Sequence, residues 1–431
     1  MLQTFTLKNG MKVATYCIPQ MRSVYVSVAV KAGSIFDTEK TSGTAHFMEH
    51  ILFEGTPSFP NIETLTDFIE KLSGSFGAYT GSQIIRLYMN APAPHLEDIL
   101  KIIGEVFFQP LFPQEAIEKG REVILEEIRE RQNQDWYKKS QFFSRVRFRK
   151  GHPLLLDGGG LAEVVTKLNR KNLVSYWESF FFPKNTYLVL VGGFKNDHIK
   201  SIVSQAFKNY SPKKFSGFPK LTNNHLSVRT VDIREDNNLK SCSINLSFPS
   251  ISDDYPLPVQ LPQTLIRTIL TGLHASRLWR LLVQRRGLVY NLNLYTAIYQ
   301  HFAYSGISTE SSTEHTEEVL RLITEELSAF IKNGPTSEEI DFAKNYRVNN
   351  ALMQFDHPNS IAGWMENDLL WEDKIYTPEE YVKLIKKVTK KDIMEFMQKY
   401  WDFSKLNLVV QGPIENSKAH IKKFTEILSI L

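Results

Sequence analysis

The sequence predicts an α+β protein made of two homologous α/β sandwich domains, and three observations carry that prediction. The chain has 431 residues, more than one hydrophobic core usually serves. A helix-turn-strand pattern occurs twice: "NLVSYWESFFFPKNTYLVLVGGF" (172–194) aligns without a gap on "DIMEFMQKYWDFSKLNLVVQGPI" (392–414), at a constant offset of 220. Leu173 meets Ile393, Phe180 meets Tyr400, Leu188 meets Leu408 and Gly192 meets Gly412. Finally, strand-like runs precede helical ones in each half, an order typical of α+β sandwiches with helices on one face of a mixed or antiparallel sheet. Internal duplication follows. The expected domains are residues 1–215, which hold the candidate metal motif, and residues 225–431, which lack one. "SPKKFSGFPKLTNNH" between them has linker chemistry.

Along the first half, "MLQTFTLKNGMKVATY" alternates polar and apolar residues around an Asn9-Gly10 turn, a hairpin pattern. It lacks the charged start, apolar block and cleavage site of a secretory signal. The expected compartment is therefore the cytoplasm, or the periplasm or an organelle if a presequence is missing. "SVYVSVAV" (23–30) and, later, "CSINLSF" (242–248) read as strands. "PQEAIEKGREVILEEI" and "PTSEEIDFAKNYRVNN" each open a long helical pattern with proline and polar N-terminal residues. Cys17 and Cys242 both lie in strand contexts, where a lone cysteine behaves as a small apolar residue.

Composition narrows the function. With 42% hydrophobic residues, 23% charged residues, a net charge of +4 and no long basic run, nothing calls for nucleic acid or an anionic membrane. No apolar window approaches the ~18 residues of a spanning helix. "DGGGLAEVV" lacks the Lys-Ser/Thr of a phosphate loop and reads as a loop entering a helix. The four arginines of "SRLWRLLVQRRG" are too few for a nucleic-acid surface. Elsewhere, histidines such as His152 and His274 have no ligand spacing.

One stretch resists a purely structural reading. "GTAHFMEHILFEGT" is apolar enough for a core helix, yet carries His46, Glu49 and His50. Residues i, i+3 and i+4 share one helix face, so these three project together, with Ser42 or Thr44 available as a cap after Gly43. Two imidazoles one turn apart can hold a divalent ion, usually zinc, and a catalytic zinc takes three protein ligands. A carboxylate beside it can act as general base. The third ligand is sought in "EKGREVILEEIRER", whose expected apolar stripe is Val123, Ile124 and Ile128. Glu127 falls on that side and Glu126 does not, but spacing alone does not rank Glu127 above Glu122 or Glu130.

Taken with "LKNGMKV", "KAGS", "REVILEEI", "LVLVGG" and "RRGLVY", the histidine motif makes the sequence resemble the M16 metallopeptidase family over most of its length. That group includes pitrilysin, insulinase and the mitochondrial processing peptidases, whose motif is the inverse of the commoner H-E-x-x-H. The resemblance implies a fold of the LuxS/MPP-like metallohydrolase type and one Zn2+ per chain. It makes His46, His50 and Glu127 the metal ligands, Glu127 lying at the family's spacing of about 77 residues after His50, and Glu49 the general base. It also implies proteolysis of short or unfolded peptides within a clamshell chamber. The peptide is expected along an edge strand at Ala78 and Tyr79, with Tyr290 reaching it from the second half.

Three positions depart from the family pattern. Gly120 replaces a glutamate that assists the metal site, Gly77 replaces an asparagine before Ala78-Tyr79-Thr80, and Val283 replaces the arginine paired with Tyr290. Since a forked guanidinium has no substitute in valine, the expected arrangement is a dimer. A homologous M16 subunit would supply the Arg-Tyr pair in a heterodimer, with a homodimer as the simpler case. The rival expectation is a non-catalytic M16-like subunit that assembles with others or binds peptides.

Overall fold

The computed structural model describes residues 1–210, 229–252, 255–372 and 374–431; the expected linker (211–225) and the domain limits 215 and 225 lie outside the described residues. Two compact units emerge. The described parts of Met1–Gln134, Pro153–Pro219 and Met353–Thr377 form one, and those of Asp135–His152, Lys220–Leu352 and Pro378–Leu431 form the other. These differ from the contiguous ranges expected from the sequence, because one helical segment of each half sits with the other half's sheet.

The first unit is built on six strands: β1 (Leu2–Thr6), β2 (Lys12–Cys17), β3 (Ser23–Val30), β4 (Ser75–Thr80), β5 (Ile85–Pro92) and β6 (Thr186–Gly192). They lie in the order β1-β2-β6-β3-β5-β4, with β2 parallel to β6 and all other pairs antiparallel. Strand β4 is thus an edge. On one face, Val26, Val28, Leu188 and Leu190 meet Phe47 and Met48 of the helix Thr44–Ile51, Ile103 and Phe107 of Leu96–Phe108, and Ile124 of Gln114–Asn133. Every one of these side chains is fully buried, each contributing roughly 1.5–3 kcal/mol relative to exposure.

Helices were expected on one face of each sheet, and here the structure corrects the sequence reading. The opposite face of the first sheet, with Ala14, Ala29, Val189 and Val191, is covered by Ile361, Met365 and Leu369 of the helix Pro358–Trp371. The physical reason is visible in β6, where all seven residues are buried. An unbroken apolar strand needs cover on both sides.

Among its described residues the second unit repeats the plan with five strands, β7 (Thr230–Glu235), β8 (Cys242–Ser250), β9 (Val289–Tyr299), β10 (Phe302–Ser311) and β11 (Asn407–Gly412), in the order β7-β11-β8-β10-β9. That is the order β2-β6-β3-β5-β4 of the first sheet, including one parallel pair, β7 with β11. The duplication keeps its offset: helix Arg170–Phe180 corresponds to Lys390–Tyr400, and both begin with capping boxes, at Asn169 and Thr389. Here the helix Asp135–Arg147 lies against β11, where the Gln411 side chain donates to the Lys139 carbonyl at 2.9 Å. Its last residue, Arg147, is fully buried over the Tyr304 ring, 4.8 Å from the centroid.

Both cysteines are free and buried, as their strand contexts suggested. His152 is a core histidine stacked 4.4 Å from Phe148, with burial pushing its pKa down to about 4. Among the described residues, no helix is long and apolar enough to cross a membrane.

Candidate metal centre

The motif helix starts abruptly. Gly43 occupies its N-cap position at φ +92°, a left-handed conformation natural to glycine. The expected caps, Ser42 and Thr44, are not used: the Ser42 hydroxyl has no partner, and Thr44 donates backwards to the Thr41 carbonyl at 2.6 Å. A residue from outside the local pattern takes the role. The Asp37 carboxylate accepts the Gly43 N–H at 2.9 Å, with the Thr44 and Ala45 amides beside it. Burial pushes the Asp37 pKa up to about 7, against the opposing pull of those amides.

From this start, helix periodicity delivers the motif. Phe47, Met48 and Ile51 enter the core, while His46, Glu49 and His50 remain half-buried on one face. Glu127 comes from the helix Gln114–Asn133, whose inward residues are Ile117, Ile124 and Ile128. Val123, expected in that stripe, is instead 44% exposed, since it stands about 100° round the helix from Ile124. The same rotation separates the acids left open by spacing: Glu122 and Glu130 are exposed, and Glu127 is not. Glu126 points outward and pairs with Arg129.

The three candidate ligand atoms form a tight triangle. His46 Nε2 and His50 Nε2 are 3.3 Å apart, and Glu127 Oε2 lies 3.5 Å from the first and 3.6 Å from the second. Bonds of about 2.0–2.2 Å at tetrahedral angles separate two ligand atoms by roughly 3.3–3.5 Å, so the donor set fits a zinc ion with one position left for solvent. Burial, then the neighbouring His50 and Arg131, push the His46 pKa down to about 4, which keeps its ring neutral and its lone pair available. This is the one group of metal-ligand geometry among the described residues.

Behind His46 lies a turn read from sequence only as a loop. Its Nδ1 is buried without a completed hydrogen bond, although the Gly159 backbone is near enough to favour a proton on the ring. The Asp157 carboxylate anchors that turn, accepting from Gly159 N–H at 2.9 Å and from Arg131 Nη1 at 3.0 Å. Residues 37, 131 and 157 were not singled out from sequence. The only signals were an arginine one turn after Glu127 and an aspartate opening a glycine run.

Of the three departures from the family pattern, the structure explains Gly77 and leaves Gly120 and Val283 without a local reason. At Gly120 a Cβ would meet only Phe47, at 3.4 Å, and Arg121 lies over the same ring. At Gly77 a Cβ would sit 2.5 Å from the Tyr88 hydroxyl, so the glycine goes with that tyrosine. Ala78 and Tyr79 stand on edge strand β4, Ala78 packed on the core and Tyr79 53% exposed. Tyr290 is on β9, an edge strand of the second unit, and is 95% exposed. Val283 falls in a short π-helical turn, Arg280–Arg285, in that unit.

Comparison with known proteins gives these residues a context. Residues 12–147 match the family profile described as insulinase (peptidase family M16), and residues 167–346 match the one described as the peptidase M16 inactive domain. The chain belongs to peptidase family M16. The His46–His50 motif falls in the first M16 match, outside the range of the second. A Rickettsia bellii protein named an uncharacterized zinc protease is 27% identical, over 94% of this chain and 96% of its own. The beta subunit of the Lentinula edodes mitochondrial-processing peptidase is 26% identical, over 99% and 93%. In fold, a crystal structure of a peptidase M16 inactive domain from Pseudomonas fluorescens superposes with a TM-score of 0.87 at 20% identity, covering 97% of this chain and 99% of that one.

Proposed function

We propose that this M16 chain is a zinc-dependent endopeptidase acting on short or unfolded peptides, and that it is the zinc-bearing subunit of a dimer. The observation that carries the reading is the triangle of His46 Nε2, His50 Nε2 and Glu127 Oε2, with edges of 3.3–3.6 Å. Zinc held there supplies a Lewis acid that makes water a better nucleophile at neutral pH and polarises a scissile carbonyl. Glu49, one turn from His46 on the same face, takes the proton of the attacking water and passes it to the departing amine. Edge strand β4 offers unpaired backbone groups to an extended peptide, with the Tyr79 side chain flanking it.

The dimer rests on the second unit. Tyr290 is displayed to solvent, but the position seven residues before it is Val283. A homologous subunit with both arginine and tyrosine completes what this chain lacks, and one relative is itself named as a subunit.

A second reading, a non-catalytic M16 subunit, has the Gly120 and Val283 replacements in its favour. Glu49→Gln decides between the two. As an endopeptidase, the purified protein with its partner contains one zinc per copy of this chain, and the variant keeps the metal while peptide cleavage falls about 10²–10⁴-fold. Absence of zinc, or cleavage indifferent to the substitution, establishes the non-catalytic reading. Full turnover by the isolated chain removes the partner requirement.

A further inference from the structure

We infer that the Arg131–Asp157 ion pair is a positioning device for His46: it sets the glycine turn 158–160 so that the Gly159 backbone receives the His46 Nδ1–H and aims Nε2 at the metal. The inference rests on the metal-centre reading above and extends it to residues with no assigned role.

Four observations converge. Asp157 is buried at 8% exposure, and a single oxygen, Oδ1, binds both Arg131 Nη1 at 3.0 Å and the Gly159 N–H at 2.9 Å. One carboxylate atom thereby ties the helix bearing Glu127 to the turn. Second, Arg131 lies flat against that turn: a Cβ at Gly159 would fall 2.0 Å from its Nη1. A side chain there would have to push the guanidinium away from the turn.

Third, the turn is pressed onto the start of the motif helix. Gly160, at φ +99°, would place a Cβ 2.6 Å from the Gly43 Cα, and a Cβ on Gly43 would lie 3.3 Å from the Gly159 carbonyl oxygen. Gly43 precedes His46 by three residues, so that oxygen stands over the first turn of the helix. Fourth, His46 Nδ1 is buried without a completed hydrogen bond, and the Gly159 backbone is near enough to favour a proton on its ring.

A metal-bound imidazole normally gives its second N–H to a carbonyl or carboxylate, which fixes the tautomer and the ring plane and changes affinity 10- to 100-fold. In this chain Gly120 offers no carboxylate to the centre, and the Gly159 backbone is the hydrogen-bonding group that acts on the His46 ring. A backbone acceptor has no side chain of its own to hold it, so the ion pair does so.

The test compares wild type with Asp157→Asn and Asp157→Ala, and with Glu130→Gln as an exposed control on the same helix. Zinc affinity is measured by competition with a chromophoric chelator, the visible spectrum of the Co2+-loaded protein is recorded, and melting is followed in excess chelator. Asp157→Asn keeps an acceptor for Gly159 but loses the ion pair. It is expected to weaken zinc binding about 10-fold, and Asp157→Ala up to 100-fold. The Co2+ bands should shift in both, with the control unchanged. Wild-type affinity and an unshifted spectrum in Asp157→Asn overturn the inference, and so does a lowered melting temperature with metal binding intact. If Asp157→Ala does not fold, the near-isosteric Asp157→Asn decides. Failure of the wild-type protein itself to bind zinc removes the underlying metal-centre reading instead.

Discussion

A single side chain can explain why a neighbour departs from its family pattern. Gly77 is such a case, because the space a side chain needs is taken by Tyr88, which stacks on Tyr25 with ring centroids 6.0 Å apart. Gly77→Asn is therefore expected to cost about 1–3 kcal/mol through overpacking. In a Tyr88→Ala background the same change should cost much less, a coupling that chemical denaturation of the four proteins in the cycle measures. At this scale the sequence was most readable in helix period, which places His46, Glu49 and His50 together on one half-buried face. Glu127 needed either the family spacing or the burial that sets it apart from Glu122 and Glu130. The Arg131–Asp157 pair was not legible, because it joins a helix and a turn across 26 residues.

Among the elements, the motif helix shows how a short segment is held when its own sequence supplies no cap. It has only eight residues, and its first turn depends on Asp37, six positions before Gly43. A carboxylate whose folded-state pKa is raised from an ordinary 3.8 to about 7 holds a proton that the unfolded chain has already lost. Its contribution to stability is thus fully present below about pH 4 and is lost as pH rises to about 7. Asp37→Asn removes that titration. The difference in stability between wild type and variant, measured with chelator in both, should change across pH 4–7 and be flat on either side; a constant difference contradicts the assignment. Capping rules look one to three residues upstream, so a cap brought in by a loop escapes them.

Taken whole, the molecule is two copies of one sheet plan, and the duplication was plain from the offset of 220 that the helix pair Arg170–Phe180 and Lys390–Tyr400 preserves. The exchange of helices was not, because which helix covers a sheet is a long-range choice that periodicity does not encode. Only the unbroken apolar run of β6 hinted that both faces needed cover. Met365 is 1% exposed against that face, so Met365→Ala is expected to destabilise the first unit by about 2–5 kcal/mol. Residues 1–210 produced alone should bind a hydrophobic dye and unfold without a sharp transition, and a synthetic peptide of residues 353–377 added in excess should reduce the dye signal. A cooperative, dye-negative fragment would show that the first sheet needs no such cover.

The helix Pro358–Trp371 also sets a timetable for biosynthesis. Strand β6 finishes at Gly192, yet the segment that roofs it ends at Trp371, 179 residues later. At about 5–20 residues per second, a nascent chain carries a bare greasy sheet on the ribosome for roughly 10–35 s. The first half is thus exposed to chaperones and to sticking against its siblings until that helix has been made.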